Sequence, residues 1–208
     1  MSLTTGTPTA SELREQMQAR VPQMVEQLGE FVNLESPSLD VEHLQVSAKY
    51  LAGLFEKVTG KRAEIIPSTS GPHVHWKGGD DTKVLIVGHH DTVFPLGTTA
   101  KRPFSVDGDI ARGPGIFDMK AGIVQAIHGL SAISDSSRVE MLITADEEVG
   151  SYASRELIES RARATGAVLV LEPSADGGAL KIARKGVGTF TVNIVGRASH
   201  AGLEPEKG

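Results

Sequence analysis

The sequence predicts an α/β protein in which a mixed, largely buried sheet carries helices on both faces. Apolar residues recur every three or four positions before residue 60, which is typical of amphipathic helices. After residue 63 short apolar strands alternate with helical segments, an order that builds a layered α/β domain. The predicted strands are AEIIP, HVHW, KVLIVGH, RVEMLITAD, AVLVLEP and GTFTVNIVG.

Two helices are predicted before the first strand. Thr9 and Glu12 have the spacing of a capping box, which begins the first helix. We expect Pro22 to break or kink this helix into two pieces, because proline lacks an N–H group and clashes with the preceding turn. The second helix covers DVEHLQVSAKYLAGLFEKVTG and ends at Gly60, since glycine favours a helix C-terminus. Further helices are predicted near residues 119–133 and 152–161.

Composition and charge restrict the partners of this chain. Its 208 residues carry a formal net charge of −5, so nucleic acids and anionic membranes are not expected partners. No apolar stretch approaches the ~18 residues that a membrane helix needs. The first residues lack the basic and apolar regions of a signal peptide, which favours the cytoplasm. With no cysteine, any metal ion must be held by histidine and carboxylate side chains.

Polar side chains follow three of the most apolar predicted strands. They are His89 and Asp91 after the first, Glu147 and Glu148 after the second, and Glu172 after the third. Ligands of an open α/β sheet bind at the carboxyl ends of its strands, so we expect these side chains to lie close together. Asp118 follows a Gly-Pro-Gly turn and precedes a predicted helix, and we expect it to join them.

Such a cluster of acids predicts a divalent metal site. Any one of these residues alone has a plainer explanation, such as a helix cap or a solvated surface, but several buried carboxylates without a cation are very unfavourable. Alternate residues of an extended segment share a side, so His89 can bind a metal ion while Asp91 holds its other ring nitrogen. His90 then points away and is expected to pack. Of the neighbours Glu147 and Glu148, one can bind the metal ion while the other acts as general base.

Five motifs occur in order along the chain: GHHDTV, ARGPGIFDMKAG, TADEEVGS, VLEPS and GRASHAG. Together they resemble the dinuclear zinc aminoacylase and carboxypeptidase family of metallopeptidases, and GPGI resembles its glutamate carboxypeptidase branch. The resemblance implies Zn²⁺ as the cofactor, with two ions in a complete active site. By position it implies that His89 and Glu172 bind the first ion, that Asp118 bridges the two ions, and that Glu148 binds the second.

The same resemblance implies roles for three other residues. Asp91 would orient His89, and Glu147 would be the general base that activates water and returns the proton to the leaving amine. His200 resembles the histidine of the family's smaller lid or dimerisation domain, which stabilises the oxyanion. The resemblance also implies a cis peptide bond between Asp118 and Met119.

The resemblance further implies the domain organisation. Residues 1–185 would form the N-terminal portion of the metal-binding catalytic domain, and residues 186–208 the first strand and loop of an α+β lid domain. Family members continue further and supply a last histidine to the second metal ion. We therefore expect the second site to be incomplete here, the 208-residue chain alone to be inactive, and the full-length protein to form a homodimer through the lid.

The leading functional hypothesis is a metal-dependent hydrolase of an amide bond next to a free carboxylate. Its substrate would be a small peptide or N-acyl amino acid, from which it releases a C-terminal glutamate-type residue. The alternative enzyme is an N-acyl-amino-acid deacylase of the aminoacylase or desuccinylase type, with the same residues in the same roles. A third hypothesis is a non-catalytic metal-binding fragment.

Overall fold

A computed structural model describes residues 8–193 and 195–208, which fall into the two compact units Met1–Pro173 and Ser174–Gly208. The strands of the first unit are β1 (Glu64–Ile66), β2 (His73–Lys77), β3 (Val84–His89), β4 (Ser105–Asp107), β5 (Ile110–Arg112), β6 (Val139–Thr144) and β7 (Ala167–Val170). Its helices are α1 (Ala10–Asn33), α2 (Val41–Thr59), α3 (Thr98–Lys101), α4 (Ala121–Ala132) and α5 (Arg155–Ala164). The predicted α/β class is confirmed.

The ends of the first two helices follow from local sequence. Thr9 and Glu12 form the predicted capping box, in which each side chain accepts a hydrogen bond from the other residue's backbone N–H. Helix α2 begins after Asp40, whose side chain accepts from the backbone N–H of His43, and ends at Gly60 in the left-handed conformation (φ 77°). None of the described helices combines the length and the apolar character needed to cross a membrane.

The prediction that Pro22 divides the first helix is wrong, because α1 is one helix of 24 residues. Tertiary contacts hold it on both sides of the proline. Arg20 donates hydrogen bonds to the carbonyl of His128 at 3.3 Å and to Ser131 Oγ at 2.6 Å, and Gln27 Oε1 lies 2.7 Å from His128 Nε2. These bonds attach α1 to α4 and offset the one backbone hydrogen bond that proline cannot make.

The main sheet is mixed and has the strand order β1-β2-β6-β3-β7. Strand β3 is parallel to both of its neighbours, β6 and β7, whereas β1, β2 and β6 pair antiparallel. The central strands are mostly buried, but all four residues of β7 are exposed, so the sheet is less buried than predicted. This topology brings the carboxyl ends of β6, β3 and β7 to one edge of the sheet.

Helices cover both faces of the sheet, as predicted. Val74 and Trp76 of β2 and Met141 and Ile143 of β6 belong to the hydrophobic core that α1, α2 and α4 supply. The alternate residues of these strands point to the opposite face. On that face Arg161 of α5 donates a hydrogen bond to Glu140 of β6, so α5 covers the side of the sheet away from the core.

Two predictions about strands need correction. The hairpin of β4 and β5 was not predicted, although its two-residue turn, Gly108-Asp109, with Gly108 at φ 57°, is a typical hairpin turn signal. The predicted strand GTFTVNIVG is not a strand in its described residues, 188–193 and 195–196; Ile194 lies outside the described residues. A strand needs a partner for its backbone groups, and the described residues provide none for this segment.

Glu140 anchors a buried polar network beneath α5. Its side chain is fully buried, and its carboxylate accepts hydrogen bonds from Arg161 Nη2 at 2.8 Å and Thr82 Oγ1 at 3.1 Å, with His75 Nε2 at 2.8 Å. Burial favours the neutral acid, but the hydrogen bonds from Arg161 and His75 outweigh it and lower the pKa of Glu140. The network joins β2, β6 and α5.

We expect Glu140→Gln to lower the free energy of unfolding by about 3 kcal/mol at pH 7, because it leaves the partly buried Arg161 without its counter-ion. The measurement is urea denaturation followed by circular dichroism. Glu159→Gln is the matched control, since Glu159 pairs with Arg155 and Arg163 on the exposed face of the same helix and should cause no measurable loss.

The difference between wild type and Glu140→Gln should depend on pH. Because the pKa of Glu140 is lowered in the folded state, its stabilisation is complete above the unfolded-state pKa and is lost as pH falls through the folded-state value. The difference in stability between the two proteins should therefore shrink as pH falls below the unfolded-state pKa of about 4.3. A difference that stays constant from pH 7 to pH 3 would contradict this assignment.

Candidate metal centre

The candidate site lies at the sheet edge formed by the carboxyl ends of β6, β3 and β7. His89 is the last residue of β3. A single tight turn, Glu147–Val149, follows β6, and Glu172 comes two residues after the end of β7. Because β3 lies between two parallel neighbours, these three chain segments emerge side by side.

Carboxylate oxygens surround one ring nitrogen of His89. From Nε2, the distances are 2.9 Å to Asp118 Oδ1, 3.5 Å to Glu172 Oε1 and 3.9 Å to Glu147 Oε2. The imidazole is almost fully buried, whereas about half of the Asp118 and Glu147 side chains is exposed. The site is therefore an open cluster of acids around a buried histidine.

Asp91 engages the other side of the same imidazole. His89 Nδ1 lies 3.0 Å from the backbone carbonyl of Asp91 and 3.3 Å from its Oδ1. The Asp91 carboxylate also accepts the backbone N–H groups of Glu147 at Oδ1 (3.2 Å) and of Glu148 at Oδ2 (3.3 Å). One buried carboxylate thus joins the histidine to the turn that carries both glutamates.

Asp118 reaches the site from an irregular turn, Ile116–Lys120, that precedes α4. The peptide bond between Asp118 and Met119 is cis, which confirms that prediction. Met119 is buried, and its Sδ accepts the backbone N–H of His89 at 3.2 Å. Lys120 is also buried and donates to the carbonyls of Phe31 and Leu34 at 3.1 and 2.9 Å. The turn is therefore held by β3 and by the C-terminus of α1.

The pKa values of His89 and Glu148 are both raised in this cluster of negative charges. Burial lowers the pKa of His89, but Asp91, Glu147 and Asp118 outweigh it and raise the value to about 9. Burial, together with the charges of Asp118 and Glu147, raises the pKa of Glu148 above its ordinary value. Both shifts reflect the concentration of negative charge at the site, which a divalent cation would offset.

The donor set fits a divalent metal ion. Two groups have ligand atoms within 4.8 Å of one another, His89 with Glu147 and Glu172, and His89 with Asp118 and Glu148. Imidazole and carboxylate ligands suit zinc in catalytic sites. The sequence analysis assigned Asp118, rather than Glu147, to the first ion, and Glu147 to the role of base. These assignments remain predictions.

His90 is not part of this cluster, and His200 belongs to the second unit. His90 is fully buried and contacts Ser47 Oγ and the carbonyl of Pro72, each at 2.9 Å, as expected for a packing residue. Burial lowers its pKa to about 4. His200 lies on an exposed loop of the second unit, where its Nδ1 accepts the backbone N–H groups of Gly202 and Leu203, each at 3.1 Å. Its role in the oxyanion site remains a prediction.

Two residues that the sequence analysis did not assign to the site support it. Lys120 attaches the Asp118 turn to α1, and Ser38 Oγ donates to Asp91 Oδ2 at 2.7 Å. The sequence did place polar residues, ESPS, directly after the first helix. That segment gave no indication of its partner, which lies 53 positions further along the chain.

Comparisons with known proteins agree with this geometry. Residues 85–203, more than half of the chain, match the peptidase family M20/M25/M40. Carboxypeptidase G2 of Pseudomonas sp. (strain RS-16) is 34% identical over 197 residues, which cover 90% of this chain and 48% of that protein. The chain thus spans about half the length of this curated relative.

Solved structures of other peptidases share the fold. The M20 family metallo-carboxypeptidase Sso-CP2 from Sulfolobus solfataricus superposes with a TM-score of 0.59 at 21% identity, covering 75% of this chain and 39% of that one. Human carnosine dipeptidase 1 gives a TM-score of 0.61 at 17% identity, with coverages of 77% and 40%. The matched residues, 85–203, include His89 and the carboxylates that surround it. The chain belongs to the peptidase family M20/M25/M40.

Proposed function

We propose that this chain supplies the metal-binding part of a zinc-dependent hydrolase that cleaves an amide bond next to a free carboxylate. The observation that carries the proposal is the convergence of three carboxylates on His89 Nε2, within 3.9 Å, at the carboxyl edge of the sheet. Membership of a peptidase family supports an amide or peptide bond as the target. The named activity of carboxypeptidase G2 supports release of a C-terminal residue.

His89, Asp118, Glu148 and Glu172 are the proposed metal ligands. His89 is held ready for this role, because Asp91 engages Nδ1 and leaves Nε2 facing the carboxylates. When bound, zinc supplies a Lewis acid that polarises the scissile carbonyl group and makes water easier to deprotonate. Both candidate groups share His89, so a second ion would have only carboxylate ligands among the described residues.

Glu147 is the proposed general base. Its side chain is about half exposed, so it can reach a water molecule and a substrate, and Asp91 fixes its backbone N–H. A carboxylate in this position accepts a proton from the attacking water and returns it to the leaving amine. Asp91 acts by orientation, since its carboxylate is buried and its oxygens are occupied by hydrogen bonds.

His200 is the proposed oxyanion stabiliser. Because Nδ1 accepts two backbone N–H groups, the neutral ring carries its proton on Nε2 and can donate it to a developing negative charge. A glutamate-type product, a homodimer formed through a lid domain and a cytoplasmic location complete the proposal. The deacylase alternative uses the same residues and differs only in which side of the amide bond is recognised.

We expect the 208-residue chain to bind one divalent ion tightly and a second ion weakly or not at all, because His89 can complete only one site. Elemental analysis after dialysis against zinc and gel filtration measures the ratio. His89→Asn should lose the tight ion, whereas His43→Asn, which removes a histidine paired with Asp40 outside the site, should keep it. Two tightly bound ions per chain would refute the prediction.

Adjacent glutamates should respond differently to the same substitution. In the protein that carries this chain, Glu147→Gln should lower kcat ~10²–10⁴-fold and keep its metal content, as expected for loss of a general base. Glu148→Gln should also weaken binding of the second ion. Glu156→Gln on the exposed face of α5 is the control and should leave both quantities unchanged. A fully active Glu147→Gln enzyme would rule out its role as the base.

Substrate preference separates the three functional hypotheses. In the same protein loaded with zinc, kcat/KM should be higher for folyl-glutamate and acyl-glutamate substrates than for N-acetyl aliphatic amino acids. The reverse preference would establish the deacylase alternative. Tight zinc binding without hydrolysis of either class would instead favour the non-catalytic interpretation.

A further inference from the structure

The Asp91 carboxylate makes four close contacts with hydrogen-bond donors. Three of the donors belong to residues already placed in the candidate site: His89 Nδ1 at 3.3 Å, and the backbone N–H groups of Glu147 and Glu148 at 3.2 and 3.3 Å. The fourth is the Ser38 hydroxyl, at 2.7 Å from Oδ2. This last contact is the shortest of the four, and a hydroxyl bond to a carboxylate is among the stronger hydrogen bonds in proteins.

Ser38 is held in place by the segment that follows α1. Residues 36–38 run parallel to residues 90–92, with Thr92 N–H donating to Ser36 O at 2.9 Å and Ser38 N–H donating to Thr92 O at 3.1 Å. Ser36 Oγ also donates to His90 O at 2.6 Å. The backbone on both sides of the Ser38–Asp91 contact is thereby fixed, so the hydroxyl has a defined direction.

The four contacts have different consequences for the site. The contacts with His89, Glu147 and Glu148 can orient these residues only if the Asp91 carboxylate holds a single torsion angle about its Cβ–Cγ bond. Each of these three contacts is long, at 3.2 Å or more. The short hydrogen bond from Ser38 is therefore the one that fixes the torsion angle of the carboxylate. If the carboxylate rotated freely, it would lose its contacts with the turn and with the imidazole, whose Nδ1 would keep only the backbone carbonyl of Asp91 at 3.0 Å.

We propose that Ser38 is a positioning residue of the metal centre, which acts through Asp91 on His89 and on the Glu147–Glu148 turn. The inference rests on the proposed function for its link to metal binding and catalysis. Its link to the turn rests only on the hydrogen bonds that surround Asp91. Among the described residues, the Ser38 hydroxyl has hydrogen-bond acceptors at Asp91 Oδ2 (2.7 Å) and the carbonyl of Thr92 (3.4 Å), so its effect on the metal ligands passes through the Asp91 carboxylate.

The test compares Ser38→Ala with Ser38→Thr and Ser36→Ala. Ser38→Thr keeps a hydroxyl at the same position. Ser36→Ala removes a hydroxyl bond from the same segment without touching Asp91, so it reports on any purely structural role of the segment. The first measurement is hydrogen exchange of the Glu147 and Glu148 amides in the metal-free chain by NMR, which needs neither zinc nor activity.

Ser38→Ala should speed exchange of both amides about fivefold, the factor that corresponds to losing one partly buried hydrogen bond. Zinc affinity, measured by chelator competition, should fall ~10–100-fold, as for other residues that orient metal ligands. In the protein that carries this chain, kcat should fall with little change in KM. Ser38→Thr should restore most of each quantity, and Ser36→Ala, which leaves the Ser38–Asp91 contact in place, should change each quantity clearly less than Ser38→Ala does.

Unchanged exchange in Ser38→Ala, or an equal effect in Ser36→Ala, would overturn the inference. A wild-type chain that binds no zinc would overturn the proposed function, and the exchange measurement would still decide whether Ser38 controls the turn. Normal zinc affinity in Ser38→Ala, with tight zinc binding in wild type, would likewise overturn the positioning role.

Discussion

The buried carboxylate of Asp91 is the interaction on which the rest of the candidate site depends. It lies just after β3 and contacts the imidazole of His89 on one side and the backbone of the Glu147–Glu148 turn on the other. Burial favours the neutral acid, but the hydrogen bonds from His89 and Ser38 outweigh it and lower the pKa of Asp91. Asp91 therefore stays ionised at neutral pH and keeps accepting all of these hydrogen bonds.

The sheet topology explains why one carboxylate can serve several residues. Strand β3 is central and parallel to β6 and β7, so the chain leaves the sheet at three adjacent points on one edge. The acids that follow these strands would repel one another in a small volume, and the raised pKa of Glu148 reflects that repulsion together with burial. A divalent cation relieves both effects, which is why the donor set has the composition of a metal centre.

Support for the site extends into the helical layer. Lys120 donates to two carbonyls at the C-terminus of α1 and lies 4.7 Å from the centre of the Phe31 ring. Helix α1 has no basic residue in its own last turn, so this ammonium group supplies the positive charge that favours a helix C-terminus. Burial lowers the pKa of Lys120 to about 7, so the charged form that favours the helix C-terminus predominates only below neutral pH. The core and the Asp118 turn are thus joined by one side chain.

The sequence by itself indicated the donor set of the candidate site and the local ends of the helices. Acids and a histidine after apolar strands, with no cysteine, indicated a metal centre of imidazole and carboxylates, and the capping box and Gly60 fixed helix ends within a few residues. Only the tertiary structure decided that α1 continues through Pro22, because contacts with α4 offset the lost hydrogen bond. Tertiary structure also decided that Ser38 and Glu147 meet Asp91 across 53 and 56 positions. Periodicity and capping report on residues a few positions apart, whereas these contacts depend on which strands are neighbours in the sheet.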